Sequence, residues 1–267
     1  MKIAVLSDIH EELNRKKTGA DIIALIEQWL KLHKPDIFII AGDIAGDPDK
    51  ALELLDGLQG AVPDIRLLFV NGNHDIYATD SQVAYDKLLA FPGNLGNGPV
   101  ELDGGWVIIG DGGWYDYSFG VAGHTEEEFA AGVYKDYHWP DMRHAHWPRS
   151  DIEETGISLA KLENWLQQHK GKNIILVTHV IPFHHYLRVK NIGSWDFFNA
   201  MMGSVRYGEL ALKYGVKKYI FGHIHLRYHD WHEGIEVICN PLGYYPSEWH
   251  ADSPKDEIFS AIKIVEI

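Results

Sequence analysis

The chain has 267 residues, of which 46% are hydrophobic and 23% charged, a composition typical of one globular domain with a sizeable core. Its net charge of −14 disfavours a nucleic-acid polymer as partner, because an acidic surface repels phosphate backbones. The single cysteine, Cys239, excludes an internal disulfide framework, and no apolar stretch is long enough to cross a membrane. The short apolar run 3–6 is no signal peptide, so we expect a cytoplasmic protein without membrane contact.

Apolar, β-branched runs alternate with amphipathic segments along most of the chain. In chain order, the patterns predict a strand at 2–6, a helix at 22–32, a strand at 36–40, a helix at 48–58, a strand at 67–70, a helix near 80–90, a loop at 92–99 and a strand at 106–109. They then predict a helix at 155–169, with Ile157, Leu159, Leu162, Trp165 and Leu166 inward, and strands at 174–177 and 218–221. Beyond Gly222 a period of two predicts antiparallel strands at 236–238 and 259–264.

Five short polar strings each follow one of the predicted strands. They are Asp8-x-His10, Gly42-Asp43, Gly72-Asn73-His74-Asp75, Thr178-His179 and Gly222-His223-x-His225. The strands read as buried parallel strands, so the strings are expected together at the carboxyl ends of a sheet, where ligand sites form in α/β proteins. Carboxylates, imidazoles and one carboxamide suit two borderline-hard divalent metals that share a bridging oxygen ligand.

The order of these strings resembles the calcineurin-like metallophosphoesterase superfamily, in particular its small bacterial phosphodiesterase-like members. The match extends from Asp8 to His225, which is most of the chain. The resemblance implies an α/β fold in which a two-sheet β-sandwich is flanked by helices, in four αββα layers. It also implies a single domain over 1–267, in which residues 111–150 form an aromatic-rich insertion.

The resemblance further implies a ligand set for two metal ions. One ion would be held by Asp8, His10, Asp43 and His225, and the other by Asp43, Asn73, His179 and His223, with Asp43 as the bridge. A hydroxide between the ions would attack phosphorus in line with the leaving oxygen. The ligand types suit Mn, Fe or Zn about equally. A competing interpretation, in which Asp43 merely caps a helix, is weakened by the neighbouring strings.

His74 and Asp75 are the candidate catalytic residues. In the superfamily the histidine at this position contacts the phosphate or protonates the leaving group. We expect Asp75 to accept a hydrogen bond from the His74 ring, which would fix its tautomer and raise its pKa. A purely structural role for His74 is the alternative. The motif Gly243-Tyr244-Tyr245 resembles a loop near the metals in related chains. An ordinary turn without a role in the site is an equally good interpretation.

The insertion at 111–150 is too long and too aromatic for a simple connection. It is either a lid whose rings contact the substrate or a satellite core or dimer contact. In the first case Trp114 and Tyr117 are the candidate substrate contacts. His184, which closely follows His179 and Pro182, is a third candidate.

The predicted function is dinuclear metal-dependent hydrolysis of a small phosphodiester. A diester is preferred over a monoester because the sequence shows no basic pocket for a dianion. The alternatives are a phosphomonoesterase, a nucleotide pyrophosphatase or a nuclease of the same superfamily, and the negative charge argues against the nuclease. A non-catalytic scaffold is a further alternative, but scaffold members usually lose ligands and none is missing here.

Overall fold

Parallel strands and amphipathic helices alternate in the computed structural model, which describes residues 1–267. The strands are β1 (Lys2–Leu6), β2 (Ile37–Ala41), β3 (Arg66–Val70), β4 (Val100–Glu101), β5 (Trp106–Gly110), β6 (Val133–Tyr134), β7 (Tyr137–His138), β8 (Asn173–Val177), β9 (Lys218–Phe221), β10 (Tyr228–His232), β11 (Ile235–Cys239) and β12 (Lys263–Glu266). The helices are α1 (Glu11–Thr18), α2 (Ile22–His33), α3 (Pro48–Ala61), α4 (Ser81–Leu89), α5 (Glu126–Ala130), α6 (Asp141–His144), α7 (Asp151–Gln168), α8 (Gly193–Phe198), α9 (Val205–Tyr214) and α10 (Pro254–Ala261). None of these helices combines the length and the apolar character that a bilayer span requires.

The strands form two main sheets. The first has the order β12-β1-β2-β3, and the second has the order β10-β11-β9-β8-β5-β4. Neighbours are parallel from β1 to β3 and from β5 through β8 and β9 to β11, whereas β12, β10 and β4 are antiparallel at the edges. The carboxyl ends of β1, β2 and β3 therefore share one edge of their sheet, as do those of β8 and β9 in the other.

Alternate residues of the same strand serve different layers. Ile3 and Val5 of β1 belong to a cluster of 14 buried residues contributed mainly by strands of both sheets. Ala4 and Leu6 face the opposite way, into a cluster of 33 residues under α2, α3, α4 and α10. A third cluster of 20 residues lies between the second sheet and helices α7 and α9. This period-two alternation builds the predicted αββα sandwich, so the predicted fold class is confirmed.

The carboxyl-terminal region differs from the prediction. The segment 259–264 was expected to be one strand, but Pro254–Ala261 is helix α10 and the strand begins at Lys263. Ser253 caps the helix by accepting a hydrogen bond from the Asp256 N–H, and Pro254 occupies its first turn, so a start signal outweighs the alternation. Strand β11 was expected to be antiparallel, yet it is parallel to β9 and antiparallel to β10.

Helix α7 agrees with the predicted helix except in where it begins and in the exposure of one residue. It begins four residues earlier than expected, at Asp151, because Ser150 and Glu153 form a capping box. Leu159, Leu162 and Leu166 are buried as predicted, but Ile157 is 46% exposed. Helices α1 and α9 had no sequence prediction. The first has a single apolar residue, Leu13, and the second is amphipathic but contains Gly208, which weakens the signal for a helix.

Candidate metal centre

Seven polar side chains from five strand ends converge between the two sheets. Asp8 and His10 follow β1, Asp43 follows β2 and Asn73 follows β3, while His179 follows β8 and the pair His223 and His225 follows β9. Two groups of donor atoms each lie within 4.8 Å of one another. The first contains Asp8, His10, Asp43 and His225, and the second contains Asp43, His179 and His223. Asp43 is common to both groups.

In the first group the donor atoms are almost in contact. The Nε2 atoms of His10 and His225 are 3.1 Å apart, and His225 Nε2 lies 3.2 Å from Asp8 Oδ1. His10 Nε2 lies 3.6 Å from Asp43 Oδ2. Four side chains that follow three strands thus bring their donor atoms together around one position.

The second group lies on the other side of the Asp43 carboxylate. His179 Nε2 is 3.5 Å from Asp43 Oδ1 and 3.2 Å from His223 Nδ1. The amide oxygen of Asn73 also reaches this group, because its Oδ1 lies 3.1 Å from His179 Nε2. Oδ2 of Asp43 faces the first group and Oδ1 faces the second, so one carboxylate can serve both positions.

An unusual backbone conformation brings these side chains inward. Five of the ten non-glycine residues with positive φ belong to the centre, namely Asp8, His10, Asp43, His223 and His225. L-residues adopt this left-handed region rarely, and such residues cluster at functional sites. Two neighbouring glycines leave the necessary space. A Cβ on Gly72 would lie 2.0 Å from Asp43 Oδ1, and one on Gly42 would lie 2.4 Å from His179 Nδ1.

Two of the imidazoles form hydrogen bonds through the ring nitrogen that faces away from the donor groups, and these bonds fix the orientation of each ring. His179 Nδ1 lies 2.8 Å from the Ala41 carbonyl, and His225 Nδ1 lies 2.8 Å from Glu248 Oε2. Metal-ligating histidines commonly use their second nitrogen in this way. Glu248 had no sequence signal. It belongs to the loop that contains Tyr244, whose ring centroid lies 4.4 Å from that of His10, so this loop is part of the site and not only a turn.

The buried carboxylates and imidazoles shift one another's pKa values. Burial disfavours ionisation of Asp8, but the nearby His225 outweighs it and lowers the pKa of Asp8 to about 2. Burial opposes protonation of His225 and His179, yet facing carboxylates raise their pKa values to about 10 and about 9. For His223 burial prevails, reinforced by His179, and lowers the pKa to about 4. The carboxylates thus require positive charge beside them, which protons or metal ions can supply.

The donor set fits a pair of divalent ions. Asp8 Oδ2 is buried and has no hydrogen-bond partner in the protein, which is costly for an ionised carboxylate unless a cation contacts it. Carboxylate, imidazole and amide oxygen donors are those that Mn, Fe and Zn accept. The other oxygen of Asp8, Oδ1, accepts the His223 N–H at 2.9 Å and lies 3.2 Å from His225 Nε2.

Asp75 does not have the predicted contact with the His74 ring. It is fully buried, and its carboxylate accepts the backbone N–H groups of Asp43, Ile44, Ala45 and Gly72 at 2.8–2.9 Å. Residues 74–76 form a 3₁₀ turn, which directs these neighbouring side chains differently. Asp75 therefore holds the loop that carries Asp43, and the hydroxyl of Tyr244 lies 3.4 Å from His74 Nε2 instead.

The three candidate substrate contacts do not line the cleft over the metal centre. Trp114 is 3% exposed and packs in the large helix-side core, where its Nε1 donates to Asp151 at 2.6 Å. The Tyr117 hydroxyl donates to the same carboxylate. His184 is exposed and its ring faces Phe119. The residues at the start of the insertion therefore extend the core, because the rings of Trp114, Tyr115 and Tyr117 pack against one another.

A different part of the insertion reaches the centre. A cleft of about 390 Å³ opens over both donor groups, and residues 137–141 contribute to its lining. Its aromatic and apolar side chains come mainly from this segment and from α8 and the turn that follows. They are Tyr77, Tyr137, Trp139, Pro140, Trp195, Phe198, Met202, Ile224 and Tyr244. His74 also lines the cleft, and no lysine or arginine does.

A four-layer sandwich with two carboxylate–imidazole groups at its strand ends defines a dinuclear metallohydrolase. The chain belongs to the calcineurin-like phosphoesterase family, whose model matches residues 1–227. It is therefore a metal-dependent phosphoester hydrolase with a dinuclear site for divalent ions. The resemblance inferred from the sequence is confirmed.

Solved structures show the same fold. The phosphopantetheinyl hydrolase from Mycobacterium tuberculosis is 20% identical, with a TM-score of 0.77 over 99% of this chain and 95% of that one. A dimetal phosphatase from Danio rerio is 14% identical, with a TM-score of 0.56 over 94% and 90% of the two chains. No curated protein matches the sequence.

Proposed function

We propose that the chain hydrolyses small phosphodiesters that carry one apolar arm. The observation behind this proposal is the cleft over the two donor groups, which is lined by aromatic side chains and by no lysine or arginine. An apolar wall suits an uncharged ester group, which a diester has in addition to its leaving group and a monoester lacks.

The charge of the residues around the cleft also favours a diester over a monoester. A diester carries one negative charge, whereas a monoester carries up to two at neutral pH and gains from additional cationic side chains. Here the charge of two divalent ions is partly offset by Asp8, Asp43 and the buried carboxylate of Asp141, which also lines the cleft. The net charge of −14 further favours a small substrate over a nucleic acid.

Each ion has its own proposed set of ligands. Asp8, His10, Asp43 and His225 hold one ion, and Asp43, Asn73, His179 and His223 hold the other, which extends the two donor groups by the nearby Asn73 oxygen. When bound, the two ions supply Lewis acidity toward the phosphate and activate water as the nucleophile. Manganese, iron and zinc all remain candidates, since the donor set suits each of them.

His74 is the proposed acid or phosphate ligand of the reaction. It lines the cleft, and its Nε2 lies 3.9 Å from Asp43 Oδ2. A ring at this distance reaches a phosphate held over the shared carboxylate, either to donate to a phosphate oxygen or to protonate the leaving alkoxide. The hydroxyl of Tyr244 and the ring of Tyr77 hold it in place.

The similarity to the phosphopantetheinyl hydrolase also favours a diester. The two chains match over nearly their full lengths. A phosphopantetheinyl group joined to an alcohol is a phosphodiester with one long, uncharged arm, which is the type of substrate that the apolar cleft favours. We therefore include such conjugates among the candidate substrates of this chain.

A direct test compares two substrates with the same leaving group. With manganese-loaded protein, kcat/KM for bis(4-nitrophenyl) phosphate should exceed that for 4-nitrophenyl phosphate by at least about 10²-fold, a difference of about 3 kcal/mol. Absorbance of released nitrophenolate gives both values. Equal values, or a higher value for the monoester, would contradict the proposed preference for diesters.

The aromatic and apolar lining of the cleft leads to a second prediction. Phe198→Ala should raise KM for hexyl 4-nitrophenyl phosphate by about 5- to 30-fold, since an aromatic contact contributes about 1–2 kcal/mol, while methyl 4-nitrophenyl phosphate is barely affected. Phe198 stacks on Trp139 in the cleft with ring centroids 5.6 Å apart. Trp231→Ala is the matched control, because Trp231 is 71% exposed and lies outside the cleft. A Phe198→Ala effect of equal size on both esters would argue against an apolar-arm site.

A further inference from the structure

We infer that Asp141 is a positioning residue for the second metal ion. Asp141 is the first residue of α6, within the aromatic insertion, and its side chain is fully buried. It is absent from both groups of donor atoms. The inference rests on the ligand assignment proposed above and goes beyond it, because it gives the insertion a part in metal binding.

The contact that carries this inference is between two side chains 68 residues apart. Asn73 Nδ2 donates to Asp141 Oδ1 at 2.8 Å. A carboxylate can only accept hydrogen bonds, so the amide of Asn73 has to turn its NH₂ group toward Asp141. Its oxygen is then directed the other way, where Oδ1 lies 3.1 Å from His179 Nε2 in the second group. Without this restraint, the amide could equally present its NH₂ group, which cannot ligate a cation.

Two further donors hold the Asp141 carboxylate itself. The Tyr77 hydroxyl donates to Oδ1 at 2.6 Å, and Trp139 Nε1 donates to Oδ2 at 2.9 Å. The buried Asp141 carboxylate accepts all three hydrogen bonds, and together they fix its orientation. Trp139 also lies against His223, with ring centroids 6.2 Å apart, so the same segment that forms the apolar wall contacts a proposed ligand of the second ion.

Asp141→Leu is the informative substitution. Leucine is similar to aspartate in size but has no acceptor atom, whereas an asparagine could keep its oxygen at the Oδ1 position and still accept from Asn73. In the leucine variant the Asn73 NH₂ group keeps only its 3.2 Å contact with the Tyr77 hydroxyl, so the amide is free to reverse and to lose its ligating oxygen. We expect the dissociation constant for the second Mn²⁺ to rise by about 10- to 100-fold, while the first ion still binds and reports that the fold is intact.

Exchanging the two side chains should restore the site. In the double variant Asn73→Asp/Asp141→Asn, the new amide donates to the new carboxylate, and the net charge is unchanged. The residue at 73 again presents an oxygen to the ion whichever way it turns. Tyr77→Phe is the control, because it removes the hydroxyl that donates to Asp141 and accepts from Asn73 at 3.2 Å, but leaves the shorter bond from Asn73 to Asp141 in place.

The experiment is a Mn²⁺ titration of metal-depleted protein by calorimetry, with metal content measured after desalting. The inference is supported if Asp141→Leu binds one ion tightly while the double variant and Tyr77→Phe each bind two. It is overturned if Asp141→Leu keeps both ions, or if the double variant stays at one, as it would if Asp141 mattered only for packing. No substrate is involved, so the outcome is separate from whether diesters are preferred.

Discussion

Asp43→Ala is expected to release both metal ions and to reduce hydrolysis to the background rate, a loss of about 10⁶-fold or more. The two oxygens of this carboxylate face different donor groups, with His10 Nε2 3.6 Å from Oδ2 and His179 Nε2 3.5 Å from Oδ1. Removing it takes a ligand from each proposed ion and also removes the negative charge between the two ion positions. Metal analysis of the purified variant, together with the diester assay, measures both effects.

The comparison that isolates the bridging role is with a ligand of one ion only. His225→Ala removes a donor from the first group and should leave the second ion bound. An Asp43→Ala protein that retains nearly two ions per chain would disprove the bridge. Loss of a single ion would assign Asp43 to one group.

His74→Ala is expected to keep both ions and to lower kcat by about 10²- to 10⁴-fold if the ring acts as a general acid. His74 lines the cleft and belongs to neither donor group, so its removal should leave metal content unchanged. The loss should be small for esters of nitrophenol, which leave without a proton, and large for alkyl esters. Comparing kcat across leaving groups in the variant and the wild type measures this dependence.

Tyr244→Phe supplies the matched control for His74. Its hydroxyl is the hydrogen-bond partner of the His74 ring at 3.4 Å, so removing it should cause a smaller loss with the same dependence on the leaving group. If His74→Ala reduces kcat equally for all leaving groups, proton donation is refuted and His74 binds the phosphate.

Local patterns were sufficient to predict the parallel strands and the convergence of the polar strings, whereas the two-sheet arrangement was predicted from the resemblance to the superfamily. The runs at β1, β2, β3, β8 and β9 are apolar on both faces, as strands buried between two layers must be, and each is followed within three residues by a proposed ligand. Because parallel strands end at a common edge, sequence order alone placed Asp8, Asp43 and His179 near one another. The metal roles of these residues remain predictions.

The other parts of the site depend on tertiary contacts that short patterns do not encode. Glu248 and Asp141 contact His225 and Asn73 from segments that are distant in the sequence, and nothing in their own neighbourhoods indicates these contacts. The prediction for Asp75 was wrong because adjacency in sequence was taken as contact, although a 3₁₀ turn separates its carboxylate from the His74 ring. Trp114 was wrongly assigned to the cleft because an aromatic side chain suits a core as well as a ligand site.

The left-handed backbone at the metal centre bears on how this protein can evolve. Each of the five residues involved occupies a conformation that disfavours an L-residue by about 1–2 kcal/mol, and together they approach the net stability of a typical domain. Glycine at any of these positions would relax the chain but remove a proposed ligand. Selection for heat tolerance and selection for catalysis therefore oppose each other here, and stabilising substitutions should accumulate in the three apolar layers, far from the strand ends.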